Sequence, residues 1–161
     1  MKDAFGQTVT CSSQTALEAY DQAIDYQLHA WPGALVALEH ALQHAPNFAL
    51  AHSTRALLLQ SAGRGAEARE ASKQAQLFTH ATTAREQSHL GIIELILAGR
   101  SASALECVRT HAEHWPGDAL VMSLALGAFG LIAFSGYADH DRQRFDFVQK
   151  IASAYPADEP W

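Results

Sequence analysis

Nine histidines in a chain of 161 residues supply ample imidazole for metal or proton chemistry, and two pairs have helical spacing. His40 and His44 stand four positions apart, and His111 and His114 three, so each pair shares one face of a helix. A zinc site takes three or four such ligands, and neither pair belongs to a HExxH arrangement or has a carboxylate set beside it. Both pairs read as solvated or interhelical histidines, and no metal is expected. His52 and His89 suggest other chemistry. With Arg55, Arg85 and Glu86 they form a polar set suited to a small acid or a peptide carboxylate, and they are the candidate ligand-binding residues. The competing reading has them hydrogen-bonded between neighbouring elements, holding those elements together.

Nucleophile chemistry finds less support. Cys107 falls at an apolar packing position and is expected as an inert buried thiol. Cys11 lies in a polar segment and is the more oxidisable of the two. The cysteines form no CxxC or zinc pattern, so neither a disulfide framework nor a metal knuckle is expected. There is no G-x-S-x-G elbow. Gly63-Arg64-Gly65 is too short for a phosphate loop and lacks a preceding strand. No catalytic residue and no cofactor is expected.

The elements that must position these groups are helices. Periodicity of 3.6 dominates, and no alternating strand pattern of useful length occurs. A first helix begins after Ser12 or Ser13, with Leu17, Tyr20, Ile24 and Leu28 on one face. Trp31-Pro32-Gly33 separates it from a second, which Pro46 stops. A third covers residues 47–62, and a fourth runs from 66 to about 79. Thr82 or Thr83 caps the fifth, with Glu86 placed for a capping box. Ser101 opens the sixth, which ends at Trp115-Pro116-Gly117. The apolar run 119–134 forms the seventh, and an eighth covers about 139–154. That run is uncharged but falls slightly short of the roughly 20 apolar residues of a membrane span. A buried helix is expected instead.

An internal repeat organises the helices. Ala34, Leu38, Ala41 and Pro46 recur as Ala104, Val108, His111 and Pro116, and more weakly as Arg144, Val148, Ile151 and Pro156. Ala56, Ala68 and Ala75 take the small positions of an intervening unit, giving a period of about 34 residues. Small residues let paired helices approach closely, and each hairpin leaves an apolar face for the next to cover. His52 and His89 then fall on the first helices of successive hairpins, which would line a concave groove. The fold expected is all-α: about eight helices in antiparallel hairpins, stacked as a tetratricopeptide-like right-handed superhelix. The domain division is a flexible segment 1–12, a repeat domain 13–156 and a tail 157–161.

The pattern A-x3-L-x2-A-x4-P at Ala34–Pro46 is similar to the tetratricopeptide repeat, with His52 at the usual tryptophan position of the second unit. Three further stretches, Phe48-Ala-Leu-Ala-His52, Thr83-Ala-Arg-Glu-Gln-Ser-His89 and His114-Trp-Pro-Gly-Asp-Ala119, resemble the amino-terminal part of the tetratricopeptide-repeat-protein-38-like family. Members of that family are considerably longer, so the resemblance implies an amino-terminal portion or a shortened relative. It implies the fold more than any molecular role.

Composition narrows the partners. Eleven basic residues against seventeen acidic ones leave a net charge of −6 with no basic stripe, which argues against nucleic acid. No signal-peptide pattern or membrane span is read, and a cytoplasmic location is expected. Aromatic and apolar residues crowd the last hairpin, where Phe145, Val148, Ile151 and Tyr155 are the candidate interface on an uncovered face. The function expected is a helical-repeat interaction scaffold for a peptide or protein partner. The alternatives are a small-molecule or enzymatic pocket lined by His52 and His89, and a structural homodimer.

Overall fold

The computed structural model describes residues 1–127 and 129–155. Eight α-helices follow one another among these residues: α1 (Gln14–Leu28), α2 (Ala34–His44), α3 (Ala49–Ser61), α4 (Gly65–Phe78), α5 (Ala84–Leu97), α6 (Ser101–His114), α7 (Ala119–Leu126) and α8 (His140–Ile151). Local chemistry sets several of their ends. Ser13 accepts the Ala16 amide at 3.2 Å and starts α1. Thr83 and Glu86 complete the expected capping box of α5, and losing such a cap costs about 1 kcal/mol. Gly33, at φ 110°, turns the chain into α2 with a left-handed step that a side chain would strain.

Packing follows the repeat. α1 pairs with α2, α3 with α4 and α5 with α6, while α3 also meets α2 and α5. Ala34, Leu38 and Ala41 are buried, as are Ala56, Ala68 and Ala75, and then Ala104, Val108 and His111. Three successive hairpins therefore bury the repeat positions, with His111 in place of a small residue in the third. Leu17, Leu38, Phe48 and Leu50 fill the core shared by α1, α2 and α3. Complete burial of one such side chain stabilises by about 1.5–3 kcal/mol. A second core under α5–α8 gathers Ile92, Val108, Val121, Ile132, Phe147 and Ile151.

The final hairpin departs from expectation. The apolar run 119–134 is not one helix, because α7 stops at Leu126 and the chain folds back over its own end. Leu131 and Ile132 donate to the carbonyls of Leu124 and Ala125 at 2.9 and 3.3 Å. Gly130 makes this return possible, since an added Cβ would lie 2.6 Å from the Ala125 carbonyl oxygen. The third echo of the repeat is displaced as well. Val148 points outward, and Phe147 takes the inward face beside Ile151; the Pro156 of that echo and the tail 157–161 lie outside the described residues. Cys107 is exposed rather than buried. No helix among the described residues is long and apolar enough to cross a membrane.

Candidate functional site

Polar side chains collect where the amino ends of α5 and α7 meet α1 and the first residues of the chain. Arg85, Glu86, His89, His111 and Asp118 are all buried there, although each can carry charge. A buried charge is costly unless paired and hydrogen-bonded, so the question is what partners each one has.

Asp118, immediately before α7, is the hub. Its Oδ2 accepts from Arg85 Nη1 and, at 3.0 Å, from His89 Nδ1. His111 Nε2 stands 3.4 Å from the same oxygen, an ion-pair distance rather than a well-formed hydrogen bond. Burial alone would raise this carboxyl's pKa, but His89, His111 and Arg85 outweigh it and hold it well below the usual value. His111 meets Ser88 Oγ with its other nitrogen at 2.9 Å. Hydroxyl, imidazole and carboxylate thus stand in series, the parts of a nucleophile relay. Ser88 sits inside α5, however, where the amides beside it are spent on the helix and are not aimed at a developing oxyanion. As arranged, the series knits α5 to α6 and α7.

Arg85 and Glu86 also reach residues 1–12. That segment, expected to be flexible, is closed on itself and docked. Lys2 and Thr8 form an antiparallel bridge, and Met1 and Val9 exchange main-chain bonds at 3.1 and 2.9 Å. The Asp3 carboxylate ties the turn by accepting the amides of Phe5 and Gln7. Alternate residues of an extended strand turn their main-chain groups to opposite sides. Val9 therefore pairs back to Met1 while its neighbours face the helices. The Thr8 carbonyl accepts from Arg85 Nη2 at 3.1 Å. Glu86 accepts the Thr10 amide at 2.8 Å and its hydroxyl at 2.6 Å, together with the Thr83 amide and hydroxyl. Four donors satisfy this fully buried carboxylate. Val9 itself enters the core of α1–α3 and is 2% exposed. Asp21 of α1 accepts the Ala4 amide, and burial, reinforced by the nearby Asp3 and Glu18 charges, lifts its pKa to about 6.

Of the residues nominated from sequence, Arg85, Glu86 and His89 therefore belong to one buried assembly. His52 and Arg55 do not join it. His52 Nε2 meets the Pro46 carbonyl at 2.8 Å and its ring stacks on Phe78, while burial lowers its pKa. Arg55 faces Glu39 at 3.8 Å. His52 and His89 thus engage different partners. His40 and His44 do face each other, with Nε2 atoms 3.1 Å apart, but no group of three His, Cys, Asp or Glu side chains among the described residues is arranged to hold a metal ion. On the last hairpin Phe145 and Val148 are exposed as expected, whereas Ile151 is buried. Tyr155 is partly buried and donates its hydroxyl to the Pro116 carbonyl at 2.8 Å. The covered side of α8 is why those two leave the candidate interface.

Asp118, Asp3 and Thr10 were missed by the sequence reading, and His111 was read there only as a solvated or interhelical histidine. Asp118 did carry a signal: it opens an apolar helix directly after Trp-Pro-Gly, where a carboxylate suits a helix amino end. Compared with protein-family models, curated proteins and solved structures, the chain matches none.

Proposed function

We propose that this chain is a helical-repeat scaffold that binds an extended segment of a protein partner against the amino ends of α5 and α7. One observation carries the reading: the stack already grips a strand of polypeptide, largely by its main chain, through Arg85 to the Thr8 carbonyl and Glu86 to the Thr10 amide. Main-chain bonds reward an extended conformation, and a pocket for one side chain adds selectivity. The tetratricopeptide-like pattern of buried small residues supports the same reading, since such stacks offer long surfaces to peptides. Catalysis is disfavoured by the sealing of the titratable cluster, in which His89 and Asp118 side chains are 1% and 5% exposed.

Selection of random twelve-residue peptides against the folded chain, followed by hydrogen exchange on the complexes, tests this. Binding peptides should slow exchange in residues of α1, α5 and α7. Peptides that protect only α8, or none that bind in solution, would defeat it.

Self-association is a second reading, favoured by a separate observation. Phe129, Phe134, Tyr137, Phe145 and Val148 are 90%, 67%, 51%, 55% and 45% exposed, and the rings of Phe129 and Phe134 stack at 6.2 Å in the open. Exposed apolar groups in such number mark a contact surface.

A further inference from the structure

Residues 1–12 bury few of their side chains completely against the helical stack. Among residues 1–10 only Val9 is fully buried, and Met1, Lys2, Ala4, Gly6, Thr8 and Thr10 remain exposed. Against one fully buried apolar side chain, the partly buried Phe5 and Cys11 and a few hydrogen bonds stands the entropy of ordering about a dozen residues, so the docked state has a small surplus. The seat is also underfilled. A recess lined by Cys11, Asn47, Phe78, Ala81 and Thr82 continues beside Val9 and Thr10, on the side toward which the strand runs. The Phe78 ring, on which His52 stacks, forms part of its wall.

The contacts also define what fits. The Thr8 position gives only its carbonyl, to Arg85. The next position must be apolar and compact, because its side chain enters the core of α1–α3. The one after that must offer both an amide and a hydroxyl to Glu86. Glu86 is already shared with Thr83, so an amide alone would leave one of its contacts unfilled.

Resting on the scaffold reading, we propose that the Arg85–Glu86 seat is an exchangeable peptide site, gated by residues 1–12 in cis. Its partner is an extended segment with a compact apolar residue followed by Ser or Thr, and a larger apolar residue next in line. The larger residue, at the place of Cys11, fills the open recess and gives the incoming segment its advantage over the chain's own. When the partner seats, Asp3 and the turn it ties leave Arg85, whose Nη2 stands 3.9 Å from the Asp3 carboxylate. Binding and release of the amino terminus are then one event.

The probe is a fluorescent peptide copying residues 1–12, used as it stands and with Cys11→Leu. Its anisotropy is followed against the full chain and against a full chain carrying Val9→Asp, which cannot bury its own segment. The Val9→Asp chain should bind the peptide at least ten-fold more tightly than the unaltered chain. The Leu peptide should bind at least three-fold more tightly still, and adding Glu86→Gln should cost ten-fold or more. If Val9→Asp fails to fold, the unaltered chain with excess Leu peptide replaces it, and faster hydrogen exchange in residues 1–12 with the helices still protected is the expected result. A folded Val9→Asp chain that ignores both peptides overturns the proposal, as does binding indifferent to Glu86→Gln. So does an unaltered chain whose segment exchanges at the same rate with and without peptide. A doubling of mass in the unaltered chain, with its segment seated in a second copy, also overturns it by making the partner the chain itself. If selected random peptides still protect α1, α5 and α7 while these probes fail, only the gating and ligand chemistry fall; if both fail, the scaffold reading falls with them.

Discussion

Two buried carboxylates are stabilised by opposite means. Glu86 collects four donors from two threonines, whereas Asp118 collects a guanidinium and two imidazoles. Removing the charge of Asp118 would leave the buried Arg85 with only the Thr8 carbonyl and the more distant Asp3 carboxylate. Breaking a buried pair in this way costs about 3–5 kcal/mol. Asp118→Asn should therefore lower the unfolding free energy by that much at pH 7 in a urea titration. The sign of its pH dependence follows from the depressed carboxyl. The stabilisation is fully present above the unfolded value of 3.8 and is lost as pH falls through the lower folded value. The gap between variant and parent should then narrow in acid, and a gap unchanged from pH 7 to pH 2 would show that Asp118 is not held by its charge. Sequence reading reached Arg85, Glu86 and His89 because they share one helix and one face. It could not reach Asp118, which lies 29 positions from His89, or Thr10, 76 from Glu86, because spacing speaks only for neighbours on one element.

Helix boundaries were largely legible for the same reason: caps, prolines and glycines act within a few residues. Ser13, Thr83, Pro46 and the Trp-Pro-Gly turns all stand where the elements begin or end. The exception is α7, where hydrophobic content argued for one continuous helix and the chain instead breaks after Leu126. Composition cannot choose between a long apolar helix and a short one covered by its own returning chain, since both bury the same side chains. Gly130 decides it through backbone contact. Its surroundings are the Ala125 carbonyl and the Gly127 amide nitrogen, at 2.6 and 2.8 Å from an added Cβ, and main chain cannot step aside as a side-chain tip can. Gly130→Ala should cost about 1–3 kcal/mol, a fall in Tm of roughly 3–10 °C for a chain of this size. An unchanged Tm in a calorimetric scan would mean that the return over α7 is not tightly packed.

At the scale of the whole molecule, three hairpins cover one another and the last is left partly bare. α8 turns Phe147 and Ile151 inward and Phe145 and Val148 outward, so the apolar surface on this side belongs to residues that the helix cannot also bury. If that surface joins copies, light scattering should report a mass that rises with concentration and returns to monomer when Phe145 and Val148 are both changed to Glu. A monomeric mass at every concentration would remove self-association as a reading. The docking of the amino terminus has a different reach. α7 touches α1 as well as its sequence neighbours, and the seat for residues 1–12 is complete only when α5, α7 and α1 are all in place. On a ribosome adding roughly 5–20 residues per second, the 76 positions separating Thr10 from Glu86 take roughly 4–15 s to make. Throughout that interval Thr10 lacks its Glu86 partner, and residues 1–12 have only their own turn to hold them. A segment made before its seat is seated late.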